Sequence, residues 1–302
     1  MTSARRTQLD SLAVSLLVAC SAIWGLGQVA AKIGLTAIPP MLQGGVRSLG
    51  AALLLLLWSW MRDIDVRSRD GTLGAGLLAG TLFALEFACI FGGLQFTTAS
   101  RMTVFIYLAP FVVAAGMPLI ARSEGLGGGQ WLGLLTAFGG VVWAFEEGLS
   151  NPSAGPLQWL GDALGIGAGL FWGMTTLVLR GSRLATTVPE KTLLYQLLVS
   201  GLALGAAGLW RGEVWPPHPG WQALASLGFQ MVVVSFASYL VWFWLVRHYP
   251  ATRISTFTLL TPLFGLLAGV LLLGDPLTRR LLLALAAVCL GIWLVNRAPR
   301  AS

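Results

Sequence analysis

Residues 99–110 read ASRMTVFIYLAP and residues 251–262 read ATRISTFTLLTP. Nearly the same twelve letters recur 152 positions apart, each time closing on a proline inside an apolar run. The surroundings echo one another too. Trp24-Gly25 returns as Trp172-Gly173, Pro39 as Pro189, Pro110 as Pro262, Glu124 as Asp275 and Gly140 as Gly291, at offsets of 148 to 152. A nearly constant offset along the chain marks an internal repeat. It divides the 302 residues into a first half, 1–150, and a second half, 151–302.

Composition places both halves in lipid. Hydrophobic residues make up 56%, charged residues only 10%, and the mean hydropathy is +0.78. A soluble domain carries about a quarter of its residues charged. A bilayer core of about 30 Å needs about 20 mostly apolar residues per helix. Ten such stretches can be marked, at 9–35, 39–61, 71–95, 99–121, 127–146, 157–180, 189–210, 220–247, 252–273 and 278–297. The expected fold is therefore an all-α integral membrane protein with ten transmembrane helices, five per half. The first stretch follows Arg5 and Arg6 as a signal peptide would, but it is too long and has no cleavage pattern, so it reads as the first span.

Five is an odd number, so the second half must enter the membrane upside down relative to the first. Placing the N-terminus in the cytoplasm puts 13 of the 19 Lys and Arg residues in inner loops and five in outer ones, with Arg47 inside a span. The positive-inside rule thus favours both termini in the cytoplasm. Arg101 then lies outside while its repeat partner Arg253 lies inside. Seventeen of the basic residues are Arg and the chain is rich in Ala, Gly and Leu, which points to a bacterial inner membrane. Inverted repeats recur in secondary transporters, where the halves exchange conformations about a central cavity.

Other classes fit poorly. The net charge of +7 is scattered over loops rather than gathered on one face, so no nucleic-acid partner is implied. Cys20, Cys89 and Cys289 sit in apolar spans without metal-type spacing, so neither a disulfide framework nor a metal site is expected, and no cofactor motif occurs. An intramembrane enzyme is the least favoured reading: the only histidines are His218 and His248, both in or near loops, and no H-E-x-x-H, G-x-S-x-G, Walker loop or aspartate pair is present. A passive channel or a lipid-carrier flippase could use the same bundle, and saturable flux separates a carrier from a channel.

The run AIWGLGQVAAKIGLTAIPPMLQGGVRSLGAALLLL, with the twin blocks TASRMTVFIYLAPFVVAAGMPLIARSEGLGGGQWLGLLTAFGGVVW and PATRISTFTLLTPLFGLLAGVLLLGDPLTRRLLLALAAVCLGIWL, resembles the EamA-type branch of the drug/metabolite transporter superfamily. Asp275 departs from the glutamate usual there. The resemblance covers nearly the whole chain and implies ten helices, cytoplasmic termini, and export of amino acids or related metabolites through a cavity between helices 1, 3, 4, 6, 8 and 9. Within the family the likeness is nearest to the aromatic-amino-acid exporters of the YddG type.

Particular residues suggest where a small molecule would bind. Pro110 and Pro262 sit about ten residues into their spans, roughly 15 Å deep. Each would kink its helix and free the carbonyl four residues earlier, at Ile106 and Thr258, for a neighbour or a substrate ammonium. They are either hinges or static kinks. Gly161, Gly165, Gly169 and Gly173 form a four-residue ladder on which another helix can pack closely. Arg47 and Glu86 lie at similar depth within spans, where charge is costly. They form either a structural ion pair, or a site where Glu86 meets a substrate amine or a proton. Trp24, Tyr107, Trp172, Tyr239 and Trp242 lie deep enough to be core or to line the cavity, with Gln28 one turn beyond Trp24. The remaining tryptophans, such as Trp60, Trp210 and Trp221, fall near span ends, where indoles favour the interface.

Overall fold

The computed structural model describes residues 8–97, 99–150, 155–273 and 279–297; Asp275, the expected counterpart of Glu124, lies outside the described residues. Those residues form helices and turns, with no strand among them. Helix α1 spans Ser11–Gly34, started by Asp10, whose carboxylate accepts from the Ala13 amide at 2.9 Å. Such a cap satisfies one of the donors a helix start leaves open. Helix α2 (Pro40–Met61) opens on a proline, which has no amide hydrogen to leave unpaired there. It is followed by α3 (Leu73–Gly93), α4 (Ala99–Ile106), α5 (Ala109–Ile120), α6 (Gly128–Ala144) and the short α7 (Glu146–Ser150). The second half runs α8 (Gln158–Gly181), α9 (Pro189–Trp210), α10 (Gly220–Phe229), α11 (Tyr239–His248), α12 (Ala251–Phe257), α13 (Thr261–Leu273) and α14 (Arg279–Asn296).

Among the described residues, eight helical segments are long and apolar enough to cross a membrane, including the runs Arg101–Ile120 and Gly220–His248. The two remaining expected spans are the shortest: α6 has 17 residues, and Leu282–Asn296 within α14 is a shorter apolar helix. Large apolar side chains such as Leu53, Leu119, Leu202 and Leu271 face outward. Trp60, Trp159, Trp210 and Trp221 near the span ends are also exposed. An apolar surface of this kind is stable in lipid, where water does not penalise it.

Three spans that read as single helices in the sequence are interrupted in the structure. Ahead of Pro110, helix α4 ends at Ile106 and α5 begins at Ala109, so the expected kink is a full break across Tyr107 and Leu108. Ahead of Pro262, a 3-10 turn over Thr258–Leu260 separates α12 from α13. Proline removes an amide hydrogen and collides with the carbonyl four residues back, which accounts for both breaks. Between α10 and α11 lie nine residues of π-helix, Gln230–Ser238, which no proline announces.

The halves pack as mates. Helix α2 runs antiparallel to α9: Gly45 abuts Gly205, Gly201 abuts Leu49 and Gly208 abuts Leu42. Helices α6 and α14 are likewise antiparallel, with Gly133 against Gly291 and Leu294, and Gly140 against Ala284. A glycine pair lets two backbones approach within van der Waals contact. A second correspondence concerns the Trp-Gly pairs. The nearest backbone oxygen to a Cβ built on Gly25 is that of Thr261, at 2.9 Å, and to one built on Gly173 it is that of Ala109, at 3.1 Å. Thr261 and Ala109 are the residues that precede Pro262 and Pro110.

Ion pairs fasten the ends of the bundle. At one end Arg180 of α8 pairs with Glu124, and the Glu124 carboxylate also accepts the Ala251 amide at the start of α12. There too Tyr249 donates to Asp10, and Lys191 holds Asp70 at 2.8 Å. The Lys191 hydrogen bond keeps the Asp70 carboxyl well below the usual carboxylate range, so this link stays charged at any pH near neutrality. At the other end Arg101 and Thr97 both grip Asp162, at 2.6 Å in each case, and Glu213 accepts the Leu42 amide of α2 at 2.9 Å.

Candidate functional site

Five of the aromatic residues singled out in the sequence meet between the halves. Trp24 of α1 is the hub: its ring centre lies 6.4 Å from Trp172 of α8, 6.0 Å from Tyr239 and 5.3 Å from Trp242 of α11. Tyr107, at the break between α4 and α5, stands 5.7 Å from Trp172. All four contacts are edge to face, the arrangement aromatic quadrupoles favour, worth about 0.5–1.5 kcal/mol per pair beyond the buried area. Tyr107 and Trp242 are buried. Trp24, Trp172 and Tyr239 remain only half-buried despite being ringed by other helices.

The π-helix supplies the polar contact of this cluster. Trp24 Nε1 donates to Ser238 Oγ at 2.8 Å, and Ser238 Oγ donates onward to the Val234 carbonyl at 2.6 Å. The Cys20 thiol reaches the Ser238 carbonyl at 3.7 Å. Widened turns of this kind often occur at functional sites. Here the widened turn ends immediately before Tyr239 and four residues before Trp242. Ser238 and the π-helix were not legible in the sequence, because an i→i+5 turn uses the same residue types as an ordinary helix.

The cluster continues on the α3 side through Phe83, 6.0 Å from Tyr239, then Phe87 at 5.0 Å and Phe91 at 6.1 Å from the preceding ring. The Arg47 guanidinium lies over Phe87, 4.3 Å from its centre. Arg47 and Glu86 are both buried, 7% and 6% exposed, and within electrostatic reach of one another. The structure does not join them. Among the described residues no ion pair links the two, and Arg47 Nε, Arg47 Nη2 and Glu86 Oε2 all lack hydrogen-bond partners. Glu86 also acts electrostatically on Tyr107 and Tyr239. Gln28 is exposed and, among the described residues, makes no hydrogen bond or ring contact, so nothing there draws it to the cluster.

The two proline breaks treat their freed carbonyls differently. The Thr258 carbonyl accepts the Thr261 amide within the 3-10 turn. The Ile106 carbonyl, and Phe105 beside it, face the bare backbone of Gly169, where an added Cβ would sit 3.0 and 2.6 Å from the two oxygens. In the second half the carbonyl matching Phe105, that of Phe257, accepts a hydrogen bond from Ser21 at 3.2 Å. Thus the glycine ladder of α8 and the serine of α1 occupy matching places beside the broken helices. Pro110 and Pro262 are both buried at these junctions.

A helical membrane bundle with broken helices and an aromatic centre between its halves has the build of a transporter. Comparison with known proteins agrees. The model of the EamA-like transporter family matches the chain twice, over residues 11–145 and 159–297. The chain belongs to the EamA-like transporter family, and it is a transmembrane transporter. It is similar to the uncharacterized transporter YvbV of Bacillus subtilis, with 27% identity covering 97% of this chain and 95% of that protein. It is also similar to the uncharacterized inner membrane transporter YedA of Escherichia coli, with 25% identity over 93% and 89% of the two chains. An uncharacterized Pseudomonas aeruginosa protein, PA1977, is 31% identical over 83% of this chain and 81% of its own. A solved crystal structure shares the fold with a TM-score of 0.79 at 16% identity, covering 95% and 97% of the chains.

Proposed function

We propose that this protein is a secondary transporter that exports amino acids, aromatic or other neutral ones, or related small metabolites by alternating access across a bacterial inner membrane. The chain would cross ten times, as inverted five-helix repeats over 1–150 and 151–302, with both termini cytoplasmic. One observation carries the reading: helices that occupy the same place in the two halves, α2 with α9 and α6 with α14, pack against each other antiparallel. A five-span repeat inserted upside down requires that relation. The aromatic cluster lies between the halves, with contributions from both, where such a carrier holds its cargo. Opening to either side would part the edge-to-face contacts around Trp24, and the breaks ahead of Pro110 and Pro262 supply the joints. Glu124–Arg180 would then fasten the cytoplasmic end and Asp162–Arg101 the outer end.

The inversion can be read out directly. Arg62 and Arg211 follow the last turns of the matched helices α2 and α9, and both are exposed. In a background without Cys20, Cys89 and Cys289, Arg62→Cys should react with a membrane-impermeant thiol reagent only from the cytoplasmic side. Arg211→Cys should react only from the outside. Labelling of both from one side would refute the inverted arrangement.

Transport itself is tested by counterflow in proteoliposomes of the purified protein against a panel of amino acids. Saturable, competable exchange is expected of a carrier. Unsaturable leak that ignores competitors would identify a channel instead.

A further inference from the structure

Among the described residues, Arg47 and Glu86 are the buried charges that no ion pair satisfies. Burying an ionised side chain without a partner is costly, and proteins keep one only where something else meets it. The two unpartnered nitrogens of Arg47, Nε and Nη2, form the side-on edge of the guanidinium, whose N–H bonds run parallel. That edge matches the two oxygens of a carboxylate, the strongest pairing arginine makes. Phe87 covers the guanidinium at 4.3 Å and fixes its place without using any of its donors. Glu86 lies in the next helix with Oε2 buried and without a hydrogen-bond partner, close enough to feel Arg47 but not bonded to it. A cation seat and an anion seat set near each other but apart suit a molecule that carries an ammonium and a carboxylate on one carbon. The ring chain Phe87–Phe83–Tyr239–Trp24 leads from this pair into the aromatic cluster.

We infer that the side-on edge of Arg47 seats the carboxylate of the transported molecule and Glu86 its ammonium, with the apolar body among the aromatic rings. The cargo is then a zwitterion with an uncharged side chain. This assignment rests on the transport reading above and deepens it. The second half carries no equivalent charge: at the offsets of 148 to 152 that relate the halves, Arg47 falls on residues 195–199, a stretch without a charged side chain, in which Gln196 is buried, neutral and without hydrogen-bond partners among the described residues. The charged seat therefore belongs to one half only, and the cargo would sit off the pseudo-symmetry axis, toward α2 and α3.

Three probes dissect the site: L-phenylalanine, 2-phenylethylamine, which lacks the carboxylate, and 3-phenylpropionate, which lacks the ammonium. Binding is read by intrinsic tryptophan fluorescence of the purified protein in detergent, and exchange by counterflow in liposomes. Wild type should bind L-phenylalanine on the order of 10- to 100-fold more tightly than either truncated probe, as expected for loss of a charge-assisted bond. Arg47→Gln should erase the preference over 2-phenylethylamine and leave that over 3-phenylpropionate, while Glu86→Gln should do the reverse. Arg47→Lys, which keeps the charge but not the fork, should recover part of the lost affinity. Because wild type alone tests the probe preference, a variant that fails to fold does not obscure the result. Equal binding of the three probes, or binding of none, overturns the assignment. Counterflow of 2-phenylethylamine as fast as L-phenylalanine leaves transport standing and removes the carboxylate seat. Carboxylate-dependent binding without any counterflow upholds the seat and removes the transport reading.

Discussion

Arg180→Met should lower the stability of the purified protein by about 3–5 kcal/mol, the cost of breaking a buried ion pair from one side. Glu124 is 8% exposed and Arg180 5% exposed, so neither charge can turn to water when its partner is lost. The arginine also donates to the Val246 carbonyl at 3.0 Å, and the carboxylate accepts the Ala251 amide, so this one pair ties α8, α11, α12 and the turn after α5 together. The double variant Arg180→Met with Glu124→Gln should regain most of the loss, because a neutral amide can still accept the Ala251 amide and no bare charge remains. Thermal unfolding in detergent, followed by the fraction that elutes as a monodisperse peak, measures both. If the single variant unfolds like wild type, the pair does not hold this end of the bundle. The Lys191–Asp70 link nearby is more exposed and should matter much less.

The second large effect reverses sign within two residues of one helix. Gly169→Ala should destabilise the protein by about 1–3 kcal/mol, because the new methyl would stand 2.6 Å from the Phe105 carbonyl, a backbone atom that cannot yield without moving α4. Gly167→Ala, on the adjoining face, meets nothing nearer than the Cys89 sulfur at 3.6 Å. It should be neutral or stabilising by up to about 1 kcal/mol, since alanine favours helix over glycine. Gly173→Ala should behave like Gly169→Ala, with Val112 Cβ at only 2.5 Å. Unfolding midpoints of the three variants give the comparison. A ladder that merely marks small residues would make all three alike.

The glycine ladder illustrates how far the sequence carries. Its four-residue spacing predicted close approach by another helix, and α4 and α5 lie against it. The proline positions located both helix interruptions, because the missing amide hydrogen acts locally wherever the chain goes. The depth of the aromatic residues selected the five that meet at the centre. The sequence was less informative for Gln28, which shares a face with Trp24 on an ideal helix yet contacts none of the other rings. Phe83 and Phe87 carry no mark in the sequence, since nothing in α3 by itself shows that Tyr239 and Arg47 will lie beside them.

Lipid solubility, helical class and the duplicated halves were determined by the sequence, because hydropathy, proline chemistry and repeat spacing are properties of the chain read along its length. The tertiary structure decided which buried charges pair. Arg47 and Glu86 lie at similar depth, which allows either an ion pair or a substrate site, and whether two side chains meet depends on helix rotation and on what fills the space between them. Phe87 covers the face of the Arg47 guanidinium and leaves its in-plane donors unpaired. Arg180, by contrast, ends its span with nothing nearby in the sequence to single it out, and it is buried against Glu124, 56 residues earlier in the chain. Such pairings are set by long-range packing of antiparallel helices against shared glycines, and local sequence does not encode the partner.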